Sequence, residues 1–258
     1  QRRISLLPAA SHLVRGRLES AFGLPDDRVR VTGEPRVDVL SRGSASERRA
    51  RARARIAELA GPLDDATRLV LYAPTWRDGA LDPAVPRPDE WDAILRVLED
   101  RDAVLLVRSH PLGAGDYTPP AETDRVRALG SGLVADVTPL LPGLDVLVTD
   151  YSSLLYDVAL VPLPVVLLAP DAEDYATERG FYGTYAEVAG ADHATDWRDA
   201  VAQLDAVLGD VDGEHARRVE RSRALDARVH AYADGRSTDR VYRAIRAALG
   251  APGTESTG

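Results

Sequence analysis

Four short, continuously apolar runs constrain this chain more than any other feature. Arg68-Leu-Val-Leu-Tyr-Ala73, Ala103-Val-Leu-Leu-Val107, Val146-Leu-Val148 and Pro164-Val-Val-Leu-Leu-Ala169 show no alternation of polar and apolar residues. A strand with that pattern is buried on both faces. Segments of helical spacing lie among them, including Trp91–Leu98 and Ser152–Val161. Continuous apolar strands separated by helices predict an α/β fold, a parallel sheet covered by helices on both faces.

The other segments are less regular. An apolar run at Ile4–Pro8 predicts a strand, and Ser11 caps a helix over 12–22 that Gly23 ends. Arg28–Thr32 alternates like a second strand and runs into Gly33-Glu-Pro-Arg36-Val-Asp38. Residues 1–40 are therefore expected to be a junction with a preceding domain, and 41–250 the main domain. Within it, helices are expected over Ser46–Leu59 and near 195–208, 214–227 and 237–249. Leu133–Val137 reads as a strand, Thr138 as the start of a one-turn helix, and Asp171–Tyr185 as a polar loop. Residues 251–258 are expected to be a disordered tail. The first residue is Gln1 rather than Met, so the sequence reads as a fragment.

Composition removes several function classes. The 258 residues contain no Cys, so disulfides and thiolate metal sites are excluded. All 32 basic residues are Arg, and Met, Lys and Asn are absent, which fits the codon usage of a GC-rich genome. The formal net charge of −9 argues against a general nucleic-acid binder, but not against a small anion held by a few local cations. No run approaches the roughly 18 apolar residues of a membrane span, and no leader peptide is expected at the start.

In a parallel sheet, ligands bind beyond the carboxyl ends of the strands. Three polar clusters follow the apolar runs: Thr75 with Arg77, Arg108 with His110, and Asp150 with Ser152 and Ser153. Their convergence points to one site. A helix opening at Ser152 and Ser153 would offer unpaired N–H groups and a positive dipole end to an anion; the same serines also read as a plain helix cap. Asp150 reads as orienting a hydroxyl or as capping. His110 reads as structural, or as an imidazolium beside a phosphate, donating to an oxygen or a leaving group. Arg77 suits a bidentate phosphate contact or a salt bridge with Asp78. Arg36 lies in a turn set by Gly33 and Pro35, where pairing with an acid is the alternative to a functional role. Trp76 reads as core. No Walker loop, Gly-x-Gly-x-x-Gly turn, Gly-x-Ser-x-Gly elbow or His-x-x-x-His pair is present, so neither a cofactor nor a protein-held metal is expected.

Gly33-Glu-Pro-Arg36-Val-Asp38, Tyr72-Ala-Pro-Thr75-Trp-Arg77-Asp78, Arg108-Ser-His110-Pro111, Thr149-Asp150-Tyr-Ser152-Ser153 and Arg179-Gly-Phe-Tyr182 occur in that order. Together they resemble the CDP-glycerol glycerophosphotransferases of teichoic-acid and capsule polymer synthesis. The resemblance covers roughly residues 1–249. It implies the Rossmann-like, nucleotide-binding C-terminal half of a glycosyltransferase-B architecture. The implied reaction is transfer of glycerol phosphate from CDP-glycerol to a polymer or lipid-linked hydroxyl, with release of CMP. It makes His110 the catalytic histidine of this half. Thr75, Arg77, Arg108, Asp150, Ser152, Ser153 and Arg179 become donor-binding candidates. A missing N-terminal domain would carry the acceptor side, and the expected location is cytoplasmic, peripheral at the inner face of the membrane. The sequence departs from the family pattern at Thr184, where an acid is usual. Another nucleotide-sugar transferase of capsule synthesis and a non-catalytic nucleotide-binding domain are the alternatives.

Overall fold

The computed structural model describes residues 4–77, 80–109, 115–178, 185–190 and 192–250. Strands β1 (Leu7–Ala9) and β2 (Val29–Val31) pair in parallel around helix α1 (His12–Phe22). Ser11 Oγ accepts from Val14 N to start α1, and Gly23 ends it in the left-handed conformation, φ 60°. A small core of Ala9, Leu24 and Val29 holds this unit. A 3-10 turn, Pro35–Leu40, leads to helix α2 (Ala45–Ala60), which Ser44 and Glu47 start with a reciprocal capping box.

The apolar runs form β3 (Arg68–Ala73) and β4 (Ala103–Val107), with helix α3 (Pro88–Asp100) between them. They continue as β5 (Val126–Ala128), β6 (Val146–Thr149), helix α4 (Leu154–Ala159) and β7 (Val165–Leu167). These five strands make one sheet in the order β5-β4-β3-β6-β7, every pair parallel. The chain builds the sheet outward from β3 in one direction and then returns to β6 in the other. The switch point therefore lies between β3 and β6, where such folds bind ligands.

Helices α5 (Ala172–Glu178), α6 (Ala186–Ala189), α7 (Trp197–Gly209), α8 (Ala216–Val229) and α9 (Ser237–Ala248) complete the order. Successive strand residues point to opposite faces, and each face has its own core. Leu69, Leu71, Val104, Leu106 and Leu147 face α2, α4 and the 3-10 turns. Val70, Tyr72, Leu105, Val146 and Val148 face α3 and α7, with Trp91, Ile94, Trp197 and Leu204. Trp197 Nε1 donates to the Ala84 carbonyl at 2.7 Å, and the Tyr72 hydroxyl donates to the same oxygen at 3.1 Å.

Three local expectations change. Leu133–Val137 is not a strand; the third strand on that side is Val126–Ala128, and Leu133 lies exposed in a turn. The helix expected over Ser152–Val161 is confined to Leu154–Ala159. The loop expected over Asp171–Tyr185 contains α5. The tail 251–258 lies outside the described residues.

Polar contacts close the structure around these cores. Asp38, 3% exposed, accepts from Ser237 N, Thr238 N and Thr238 Oγ1 at 2.8, 2.9 and 2.7 Å. It thus caps α9 from the 3-10 turn. Gly33 has φ 74°, and a Cβ there would lie 2.3 Å from Ser237 Oγ, so this approach requires glycine. On the far side, Arg218 is buried and donates to the Val165 carbonyl, Gln203 Oε1 and Glu214 Oε1.

Arg217 holds the Glu214 carboxyl down at about 2; burial opposes this, and Arg218 adds to it. A carboxyl depressed in the folded state stabilises above its unfolded pKa, and that contribution is lost as pH falls through the folded value. Glu214→Gln is therefore expected to flatten the stability profile between about pH 4.5 and 2, read by urea unfolding at stepped pH. An unchanged acid limb would remove Glu214 from the account.

Candidate active site

The ends of β3 and β6 meet at Asp150. This carboxylate is 4% exposed. Its Oδ1 accepts from Thr75 N at 2.9 Å, Thr75 Oγ1 at 2.6 Å and Tyr151 N at 2.6 Å; its Oδ2 accepts from Arg77 Nη2 at 3.1 Å. Burial pushes the Asp150 carboxyl above its usual range, with Thr75 and Arg77 opposing.

Arg77 makes its bidentate contact with a carboxylate. Its Nε and Nη2 reach the two oxygens of Asp171 at 2.7 and 2.9 Å, and Nη1 donates to the Thr75 carbonyl. Burial disfavours the guanidinium charge, but Asp171 and Asp150 outweigh it and raise the Arg77 pKa. Two aromatic rings, Tyr151 and Tyr175, stack at 3.9 Å, each with its centroid 5.1 Å from the guanidinium carbon. The Tyr151 hydroxyl donates to Asp171 at 3.0 Å, and that of Tyr185 to the Asp150 carbonyl at 3.2 Å. Thr75, Arg77 and Asp150 thus form one network that ties the β3 and β6 turns to Asp171 beyond β7. Asp78, the other partner considered for Arg77, lies outside the described residues.

A cleft of about 360 Å³ opens beside this network, lined by Ala73, Pro74, Arg108, Ser109, Ser131, Ser152 and Ser153 among others. Arg108 donates to the carbonyls of Val134, Ala135 and Leu129 at 2.9, 3.2 and 3.3 Å. It forms no ion pair with a described carboxylate. Burial lowers the Arg108 pKa, and the field of Asp136 opposes that. Ser152 Oγ accepts from Leu154 N at 3.3 Å, whereas the Ser153 side chain makes no capping bond. With α4 only six residues long, the dipole argument for an anion gives way to one from hydroxyls and the Arg108 charge.

A second cavity, about 440 Å³, lies between α1 and α4, lined by Val14, Leu18, Arg36, Ser153, Tyr156, Asp157 and His230 among others. His110 and Arg179 lie outside the described residues; Ser109, immediately before His110, is in the cleft wall. Sequence reasoning missed Asp171, Tyr151, Tyr175, Ser109, Ser131 and Asp157. Asp171 follows the fourth apolar run, so extending the strand-end rule to β7 names it. Trp76 is half-buried. Among the described residues, no helix is long and apolar enough to cross a membrane.

Solved structures share the fold of this chain. A variant of the wall teichoic acid polymerase TagF superposes with a TM-score of 0.76 at 25% identity, covering 96% of this chain and 59% of TagF. This places the sheet and its helices in a glycosyltransferase-B-type fold. UDP-GlcNAc 2-epimerase from Neisseria meningitidis, at 12% identity and a TM-score of 0.56, shares the fold alone. Among sequences, the teichoic acid ribitol-phosphate polymerase TarL of Staphylococcus aureus is 29% identical over 226 residues, 86% of this chain and 38% of TarL. The teichoic acid glycerol-phosphate transferase of the same organism is 29% identical over 239 residues, 88% of this chain and 56% of that protein. The chain thus spans about two-fifths to three-fifths of the length of these relatives. The model of the CDP-glycerol:poly(glycerophosphate) glycerophosphotransferases matches residues 1–247, and the chain belongs to that family.

Proposed function

We propose that this chain supplies the donor-binding half of a transferase that moves glycerol phosphate from CDP-glycerol to a hydroxyl of a teichoic-acid-like or capsule polymer. One observation carries the reading. At the sheet's switch point, a cleft joins the Ser152 and Ser153 hydroxyls to Arg108, whose charge no described carboxylate pairs. That set suits the pyrophosphate of a nucleotide-linked donor. The family description and the glycerol-phosphate transferase relative support CDP-glycerol as that donor.

In this reading Arg108, Ser152 and Ser153 touch the phosphates, while Thr75, Arg77 and Asp150 hold the turns that carry them. His110, next to Ser109 in the sequence, takes the catalytic role that the family resemblance implies, with Arg179 as a further donor contact. The acceptor hydroxyl attacks the phosphorus bearing glycerol, the bond to the bridging oxygen breaks, and CMP leaves with the electron pair. Preorganised donors where charge develops typically contribute about 3–4 kcal/mol each. In this reading an N-terminal domain carries the acceptor side and the contact with the inner face of the membrane; the chain's partial coverage of its relatives supports a further domain.

Calorimetric titration with CDP-glycerol tests this. The Ser152→Ala/Ser153→Ala variant is expected to bind about 10–100-fold more weakly, the loss of one or two charge-assisted hydrogen bonds. Failure of the folded, unsubstituted chain to bind any cytidine nucleotide would sink the reading. The ribitol-phosphate polymerase TarL among the relatives favours a second donor, CDP-ribitol, and tighter binding of that nucleotide would select it.

A further inference from the structure

The cleft has a support from outside the five-stranded sheet. Asp157 follows Ser153 by four residues, which puts the two on one side of α4. Both line the cleft and also the cavity under α1. The Asp157 carboxylate is 3% exposed. Its Oδ2 accepts from Arg36 Nη1 at 2.5 Å, while Oδ1 has no hydrogen-bond partner among the described residues. A buried carboxylate with a single partner depends strongly on that partner. Arg36 is steadied by Glu34 at 3.1 Å and by its place in the 3-10 turn after Gly33. Helix α4 is short, and the Ser153 side chain does not cap it. The pair therefore joins the Pro35–Leu40 turn to the wall that presents Ser152 and Ser153.

We infer that Arg36 is a positioning residue for the donor cleft: by pairing with Asp157 it fixes the α4 wall so that Ser152 and Ser153 face the incoming phosphates. This rests on the donor reading above. Arg36 acts through Asp157 and does not contact the ligand. The planar guanidinium holds the carboxylate by both charge and direction, whereas a lysine would supply the charge with looser geometry.

The test uses the full chain with Arg36→Gln, Arg36→Lys and the double substitution Arg36→Gln/Asp157→Asn. Each is titrated by calorimetry with CDP-glycerol and with inorganic pyrophosphate, and its melting temperature is measured alongside. Arg36→Gln is expected to weaken both ligands about tenfold, a normal coupling between residues in contact. Arg36→Lys is expected to recover binding to within about threefold of the unsubstituted chain. The double variant leaves no lone buried charge, so its melting temperature is expected to recover while its binding stays as weak as that of Arg36→Gln. Full binding by the double variant would make the pair a stability element only and overturn the positioning role. Unchanged pyrophosphate affinity in Arg36→Gln would do the same. If the unsubstituted chain binds pyrophosphate but not CDP-glycerol, the donor reading fails while the pyrophosphate series still judges Arg36. Binding of neither ligand overturns both.

Discussion

Asp150→Ala is expected to lower the melting temperature by roughly 6–20 °C, from a loss of about 3–5 kcal/mol, and to abolish donor binding. The carboxylate is nearly inaccessible and accepts four hydrogen bonds from two strand-end turns. Without it, Thr75 N loses its acceptor in a half-buried place, and the described hydrogen bonds left to Arg77 are those to Asp171 and the Thr75 carbonyl. Asp150→Asn should fall between, because the amide keeps one acceptor oxygen but not the charge that faces Arg77. Thermal unfolding followed by circular dichroism gives the first quantity and calorimetry the second. A melting temperature within about 2 °C of the unsubstituted chain would mean that the network does not join the β3 and β6 turns.

Trp197→Ala is expected to destabilise the chain by about 3–5 kcal/mol in urea, the usual range for deleting a buried large aromatic. Trp197 is 2% exposed and meets Tyr72 edge-to-face at 5.0 Å. Its Nε1–H and the Tyr72 hydroxyl share the Ala84 carbonyl, so the ring fixes the loop before α3 as well as filling the α7 side of the core. Trp197→Phe separates the two roles. It keeps most of the packing and leaves Tyr72 as sole donor, for a loss of about 1 kcal/mol from the hydrogen bond. Equal losses for the two substitutions would show that the hydrogen bond, not the packing, dominates.

The sequence was most legible where burial is two-sided. β3 and β4 match the apolar runs residue for residue, because both faces of these strands lie in the core. Signals that rest on one face misled. The apolar residues of Leu133–Val137 read as a strand, yet Leu133 is 52% exposed, while the edge strand Val126–Ala128 is too short to show a pattern. Helix α5 buries none of its residues, so it has no apolar stripe to detect. At the candidate site, the strand-end rule found the three turns that the fold brings together. It could not tell Arg77, which two carboxylates engage directly, from Arg108, whose hydrogen bonds to described residues all go to carbonyl groups. That distinction depends on Asp171, a partner 94 residues away in the chain.

The cap on α9 bears on the order in which the chain assembles during synthesis. Domains generally fold as units while the chain emerges. The last strand of the large sheet ends at Leu167; Arg42 Nη2 reaches Asp38 locally, but the other three groups that donate to it are at Ser237 and Thr238. A nascent chain can therefore complete its sheet while Asp38 has only Arg42 as a donor and the Pro35–Leu40 turn stays loose. Only after residue 238 leaves the ribosome does Asp38 acquire the three donors of Ser237 and Thr238 and become buried. Because Arg36 shares that turn, the cleft wall gains its outer anchor at the same late moment, so a ribosome-bound intermediate would have a finished sheet and an unset binding site.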